Sequence, residues 1–193
     1  MSGGFSHLTN IKPLPGEGRT DYRHLPEFIR ALLYELAITD SAEKKAVLMK
    51  RAQEAAAIIV ERLAPVGWNG EGLPLEPDGK RISIRTASEA MEALALLWAV
   101  DGGPWLGRAQ HVAHRLKSWQ RSEGCWPVYL RAESGEPEGD EMCAAAPLSL
   151  LRRLDQLLGT CEYTDTAERA VDWLLHHEYP MKSRVDKKSN KTH

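Results

Sequence analysis

The chain has 193 residues, 42% of them hydrophobic, and 25 Lys and Arg nearly balance 27 Asp and Glu for a net charge of −2. That balance predicts one globular domain and argues against both a strongly basic nucleic-acid binder and an acidic disordered chain. No apolar run approaches the roughly 20 residues that a membrane span needs, so no membrane partner is expected. The segment Met1-Ser2-Gly3-Gly4-Phe5-Ser6-His7 has no basic flank followed by an apolar stretch, and so does not read as a secretory signal. Three cysteines, an odd count, predict free thiols in a reducing compartment, and hence a cytoplasmic protein.

In chain order, Pro13, Pro15, Gly16 and Gly18 punctuate an irregular arm over residues 1–24. A single helical domain is expected over residues 25–180, followed by a flexible tail over 181–193. Pro26 suits the first turn of a helix carrying Phe28, Ile29, Leu32, Leu33 and Leu36. Asp40 or Ser41 caps a second helix, which Pro65 and Gly67 end. Residues 67–85 read as a Gly- and Pro-rich loop, in which Arg81-Ile82-Ser83-Ile84-Arg85 alternates as a short strand. Thr86 or Ser88 caps a third helix over 87–100, apolar on almost every side. Asp101-Gly102-Gly103-Pro104 turns the chain into a fourth helix over about 105–122.

Residues 124–139 read as a second long loop, so strand is expected only near 80–85. A fifth helix is expected over about 141–158, with Pro147 either kinking it or marking its first turn. Thr164 or Asp165 caps a sixth, over 166–177.

Internal repetition organises these elements. Arg51-Ala52-Gln53 recurs as Arg108-Ala109-Gln110, Gly67-Trp68 lies over Cys125-Trp126, and the segment 109–116 lies over 167–174, all at one nearly constant offset along the chain. The unit is a pair of helices, one apolar and one amphipathic, joined by a short turn and followed by a Gly/Trp loop. Three such pairs predict an all-α fold of repeated hairpins, with apolar helices inside and amphipathic helices outside. The long loops then gather at one mouth, beside the N-termini of the inner helices.

The segment Gln120-Arg121-Ser122-Glu123-Gly124-Cys125-Trp126-Pro127-Val128-Tyr129 resembles the Gln…Gly-Gly-Trp-Pro segment of α/α-toroid proteins, with Cys125 in place of the second Gly. The ending Trp-Pro-Val-Tyr, the Ala-rich helix after it and the connection into Tyr163-Thr164-Asp165 are most similar to α/α-barrel polysaccharide lyases and to the helical domain of uronyl C5-epimerases. A weaker likeness, Gln…Gly-x-Trp alone, extends to terpenoid cyclases, whose Asp-rich signature is missing. The likeness spans about residues 87–177, and three pairs make half of a six-pair ring. It therefore implies a partial α/α toroid, completed by a homodimer or a second chain, that binds an oligosaccharide or polysaccharide.

At the mouth, Trp68 and Trp126 are candidate platforms for sugar rings, or else wedges between helices. Trp98, Trp119 and Trp173 stand at helical positions and are expected in the core. Inner-helix N-termini favour an anion, and Arg81, Arg85 and Arg131 would pair with a uronate carboxylate. In a β-eliminating lyase a cation on that carboxylate acidifies the C5 proton, and Tyr129 is the candidate base by location, with Arg131 beside it. The competing reading is a non-catalytic helical-repeat module. Glu133, Glu136, Glu138, Asp140 and Glu141 offer the oxygen ligands that Ca²⁺ prefers, without EF-hand spacing, or form a solvated loop. Cys125, Cys143 and Cys161 with His111 and His114 lack the spacing of a zinc site, and no Gly-x-Ser-x-Gly elbow is present.

Overall fold

In the computed structural model, which describes residues 22–61, 76 and 79–177, the helical spacing of the sequence yields six α-helices among those residues. They are α1 (Leu25–Ile38), α2 (Ala42–Glu61), α3 (Ile84–Asp101), α4 (Leu106–Trp119), α5 (Ala145–Leu158) and α6 (Thr164–His176). No helix among the described residues is long and apolar enough to cross a membrane.

Each odd-numbered helix packs on the even-numbered helix that follows it, which makes three hairpins. Helix α3 also packs against both α1 and α5, so the odd-numbered helices neighbour one another through it. Its small side chains permit this: Ala87, Ala90, Ala93 and Ala95 are fully buried, with Met91, Leu94 and Leu97 filling the spaces between them. Burying each of those three larger side chains contributes about 1.5–3 kcal/mol relative to leaving it in water.

The turns inside the hairpins are short because their chemistry is local. Gly102 and Gly159, at equivalent places in successive hairpins, end α3 and α5 in the left-handed conformation that a Cβ disfavours. An aspartate organises each turn. Asp101 accepts from the Gly103 backbone (2.8 Å), the Trp105 indole (3.1 Å) and the Gln53 amide of α2 (3.1 Å). Asp155, buried in α5, accepts from the Tyr163 backbone (3.2 Å) and from Thr160 (2.9 Å) and Thr164 (3.3 Å), and so fixes the start of α6. The hydroxyl of Ser41 accepts from the Lys44 backbone and caps α2 as its sequence predicts.

Helix α4 ends at Trp119 rather than near 122, and α6 begins at Thr164 with Tyr163, not Thr164 or Asp165, at its cap; three other differences from the sequence reading stand beside these. Helix α3 begins at Ile84, because Ser83 rather than Thr86 or Ser88 caps it: the Ser83 hydroxyl accepts from the Thr86 backbone at 3.1 Å. Helix α5 begins at Ala145, which puts Pro147 in the first turn, where its missing N–H costs nothing.

The third difference is larger. The second long loop is a β-hairpin, β2 (Trp126–Arg131) and β3 (Pro137–Cys143), paired with β1 (Arg81–Ser83) in an antiparallel sheet of order β1-β2-β3. Strand is therefore not confined to residues near 80–85. Strand β3 reads Pro-Glu-Gly-Asp-Glu-Met-Cys, which has little intrinsic strand preference. It forms by pairing with β2, and the register shifts between Pro127 and Tyr129. The ending of α2 at Pro65 and Gly67, the arm and the tail lie outside the described residues.

Candidate functional site

Strand β2 sorts the candidate residues by alternation, since successive side chains point to opposite faces of a sheet. Trp126 and Leu130 face the helices. Trp126 is 0% exposed, and its indole N–H donates to the Leu116 carbonyl of α4 at 2.8 Å. A ring enclosed in this way has no face for a sugar, so of the two roles open to Trp126, platform or wedge, it takes the wedge, and its place as a substrate-binding residue is withdrawn.

The rest of that segment works with Trp126. The Gln120 amide donates to the Gly124 carbonyl (3.0 Å) and to the Thr166 carbonyl of α6 (2.8 Å). Gly124 has φ +97°, and a Cβ there would lie 2.2 Å from the Arg169 carbonyl oxygen. Gln120, Gly124 and Trp126 thus tie the end of α4 to α6 and to the root of the hairpin. Trp68, the other candidate platform, lies outside the described residues. Trp173 is buried as expected, while Trp98 and Trp119 are half-buried.

The other face of β2 carries chemistry. Arg81 of β1 and Arg131 of β2 are direct cross-strand partners, and Ser83 stands opposite Tyr129. The Arg81 guanidinium lies over the Tyr129 ring, 4.9 Å from its centre, on the diagonal that cross-strand geometry allows. Glu138 of β3 is the partner of Tyr129 on the opposite side. Arg131 meets Glu136 at 3.4 Å with both side chains exposed, a pairing that contributes little. Arg85 follows Ser83 in the first turn of α3 and donates to Glu89 at 3.0 Å, and that carboxylate raises its pKa above the ordinary value. Of the six candidates, Arg81, Tyr129 and Arg131 are therefore brought together on one face, with Arg85 at the start of the adjoining helix.

A second group was not read from the sequence. On α3, Glu92 is buried although it carries a charge. Its carboxylate accepts from Arg30 Nη2 of α1 (2.8 Å) and from the Ser149 hydroxyl of α5 (2.9 Å), and Arg153 Nε lies 3.6 Å away. Arg30 also donates to the Glu89 carbonyl at 3.3 Å. One carboxylate thus joins three helices. The sequence signal was present: a charge at a position facing apolar neighbours must be paired. Its partners lie far off in the chain in both directions, Arg30 before it and Ser149 and Arg153 after it, and could not be read from it.

Among the described residues, no three His, Cys, Asp or Glu side chains are placed to hold a metal. The acidic residues Glu133–Glu141 are strung along the hairpin, which removes the ligand set proposed for Ca²⁺. Cys125 and Cys143 are buried and Cys161 is exposed, all as free thiols. Burial raises the pKa of Cys125 and pushes that of Cys143 up to about 12. An open pocket of about 240 Å³ lies along α6, lined by Glu123, Asp172, Trp173, His176 and His177, none of them a candidate from the sequence. His177 stacks on the Trp173 ring there at 4.2 Å.

No protein-family model matches the chain, and no curated protein matches it.

Proposed function

We propose that this chain is a partial toroid of helical hairpins that binds an anionic saccharide on the solvent face of its three-stranded sheet. The observation that carries this reading is the juxtaposition of Arg81 and Arg131 as cross-strand partners, with the Tyr129 ring beside them. Two guanidiniums offer paired donors to a carboxylate, the chemistry of a uronate, and the capped N-terminus of α3 adds a favourable field. The phenol supplies a hydroxyl and part of a ring to the sugar beside that carboxylate. Binding is the reading supported most directly; β-elimination needs, in addition, that Tyr129 take the C5 proton while the C4=C5 double bond forms and the C4–O bond breaks, the leaving oxygen taking a proton from water or back from the phenol.

Titration calorimetry with galacturonate oligomers tests this. Arg131→Ala and Arg81→Ala should each weaken binding about tenfold, as expected for loss of one charge-assisted pairing, with the fold intact. No binding by the unaltered chain would end the reading. Growth of ultraviolet absorbance from an unsaturated uronyl end, abolished in Tyr129→Phe, would extend it to a lyase; binding without absorbance leaves a binding module.

Association with a second copy belongs to the same proposal. Among the described residues, the strongly exposed large apolar side chains are Tyr34, Ile38 and Val47 on the first hairpin, Val100 on the second and Leu175 on the last. Sedimentation that shows only monomer at high micromolar concentration would remove that part.

A further inference from the structure

The binding proposed above uses β1 and β2 and leaves β3 without a part in it. The register supplies one. Tyr129 pairs with Ser83 on one side and with Glu138 on the other, and directly paired residues of an antiparallel sheet carry their side chains on the same face. Leu130 pairs with Pro137 in step with that, so the shift in register, which lies between Pro127 and Tyr129, leaves the position of Glu138 regular. Glu138 therefore stands on the face that carries Arg81, Tyr129 and Arg131. It is exposed, and among the described residues its carboxylate meets no cation, whereas the neighbouring Glu136 already meets Arg131 at 3.4 Å.

The face is thus polarised from edge to edge. Arg81 lies on β1 with its guanidinium over the Tyr129 ring, Arg131 lies on β2, and Glu138 lies on β3. Arg131 and Glu138 are diagonal neighbours, about 7–8 Å apart in such a sheet. Arg81 and Glu138 are two strand spacings apart, roughly 10 Å. A ligand whose only charges are carboxylates meets the arginines favourably and Glu138 unfavourably, since like charges repel over the same distances. A ligand with a carboxylate at one end and an ammonium at the other matches both.

We infer that the saccharide bound on this face carries an ammonium beside its carboxylate: an aminouronate with an unsubstituted nitrogen, its carboxylate on Arg81 and Arg131 and its ammonium on Glu138. This rests on the binding proposed above and names the ligand's second charge. Glu138 is then a specificity-determining residue. Its carboxylate accepts from the three N–H donors of the ammonium, and acetylation of that nitrogen removes the charge and two of the donors. Tyr129 stands between the two charged positions, where its phenol reaches the hydroxyls of the sugar.

The test is titration calorimetry of the full chain at low ionic strength and about pH 6, where an amine is protonated. Three dimers that differ at one ring position are compared: galacturonate, 2-amino-2-deoxygalacturonate, and the N-acetylated form of the latter. The amino dimer should bind about fivefold more tightly than either of the others, as an exposed charge pair contributes. Glu138→Gln should bring all three to within about twofold by weakening the amino dimer alone, and Glu138→Lys should make galacturonate the tighter ligand; a thermal melt of each variant establishes that it is folded. Equal affinity for galacturonate and its amino form in the unaltered chain would overturn the inference and leave the binding face intact. A preference for the amino dimer kept in both variants would also overturn it, because the ammonium would then be held elsewhere. If none of the three binds, the underlying reading falls and this inference with it. A glutamyl-lysine dipeptide bound as tightly as the amino dimer would overturn the saccharide as occupant.

Discussion

The two faces of strand β2 belong to one short segment and have opposite fates. On the inner face, Trp126 and Leu130 are 0% and 3% exposed, and the Trp126 indole spends its only donor on the carbonyl of Leu116. On the outer face, Tyr129 is half-buried beneath Arg81, and Arg131 is exposed beside an exposed Glu136. The inner face should control stability and the outer face binding. Residue type does not make this distinction, because an aromatic side chain stands on each side. The direction of the pleat makes it, together with what lies across from each ring.

The strongest way to break that contrast is to truncate the inner ring. Trp126→Ala should cost about 3–5 kcal/mol in chemical denaturation, since it empties a fully enclosed volume and strands the carbonyl that the indole satisfied. A loss below about 1 kcal/mol would mean that the ring is not a wedge. Gly124→Ala comes next, at about 2–4 kcal/mol, because a left-handed backbone and a collision with the Arg169 carbonyl act together. If it melted like the unaltered protein, α6 would not lie against Gly124 as described.

A third expectation concerns alkaline pH. Burial raises Cys143 from 9.0 to about 12 and Tyr163 from 10.0 to about 12. In the unfolded chain both groups ionise at their lower ordinary values. The stability linked to them is therefore fully present below about pH 9 and is lost as pH rises from there towards 12, by up to about 1.4 kcal/mol per pH unit for each group. Denaturation at stepped pH should show this fall, and Cys143→Ala and Tyr163→Phe should each make it shallower. Unchanged slopes in both variants would contradict the burial described. The smallest effect belongs to the outer face: Arg131→Ala should change stability by less than about 0.5 kcal/mol, as surface substitutions do, while still weakening binding. A large loss of stability would place Arg131 in the scaffold.

Much of the helical framework could be read from the sequence because its determinants are local. The apolar spacing of α1 to α6, Ser41 as a cap and Gly102 in its turn each act over a short stretch of chain. The pairing of helices was legible for the same reason, and Gly102 and Gly159 end the first helix of successive hairpins. The hairpin of β2 and β3 was not legible, because β3 lacks apolar alternation and owes its strand to the partner beside it. The Gln120–Gly124–Trp126 segment was noticed as a motif, but its neighbours decide its role: Leu116 comes from α4, and Thr166 and Arg169 from α6. Tyr129 and the arginines were nominated together by sequence, although only the register of β1 on β2 sets Arg81 opposite Arg131.

The sequence alone determined that this chain builds paired helices, which helices are the more apolar, and where the short turns fall, because periodicity, capping and glycine conformation are short-range. Tertiary structure decided which aromatic is enclosed and which is presented, and it brought Arg30, Ser149 and Arg153 to Glu92 from helices far apart in the chain. A buried charge announces in sequence that it needs a partner. Only the packing of α1, α3 and α5 fixes which side chains answer, since desolvation and Coulomb energy depend on distances in space rather than on separation along the chain.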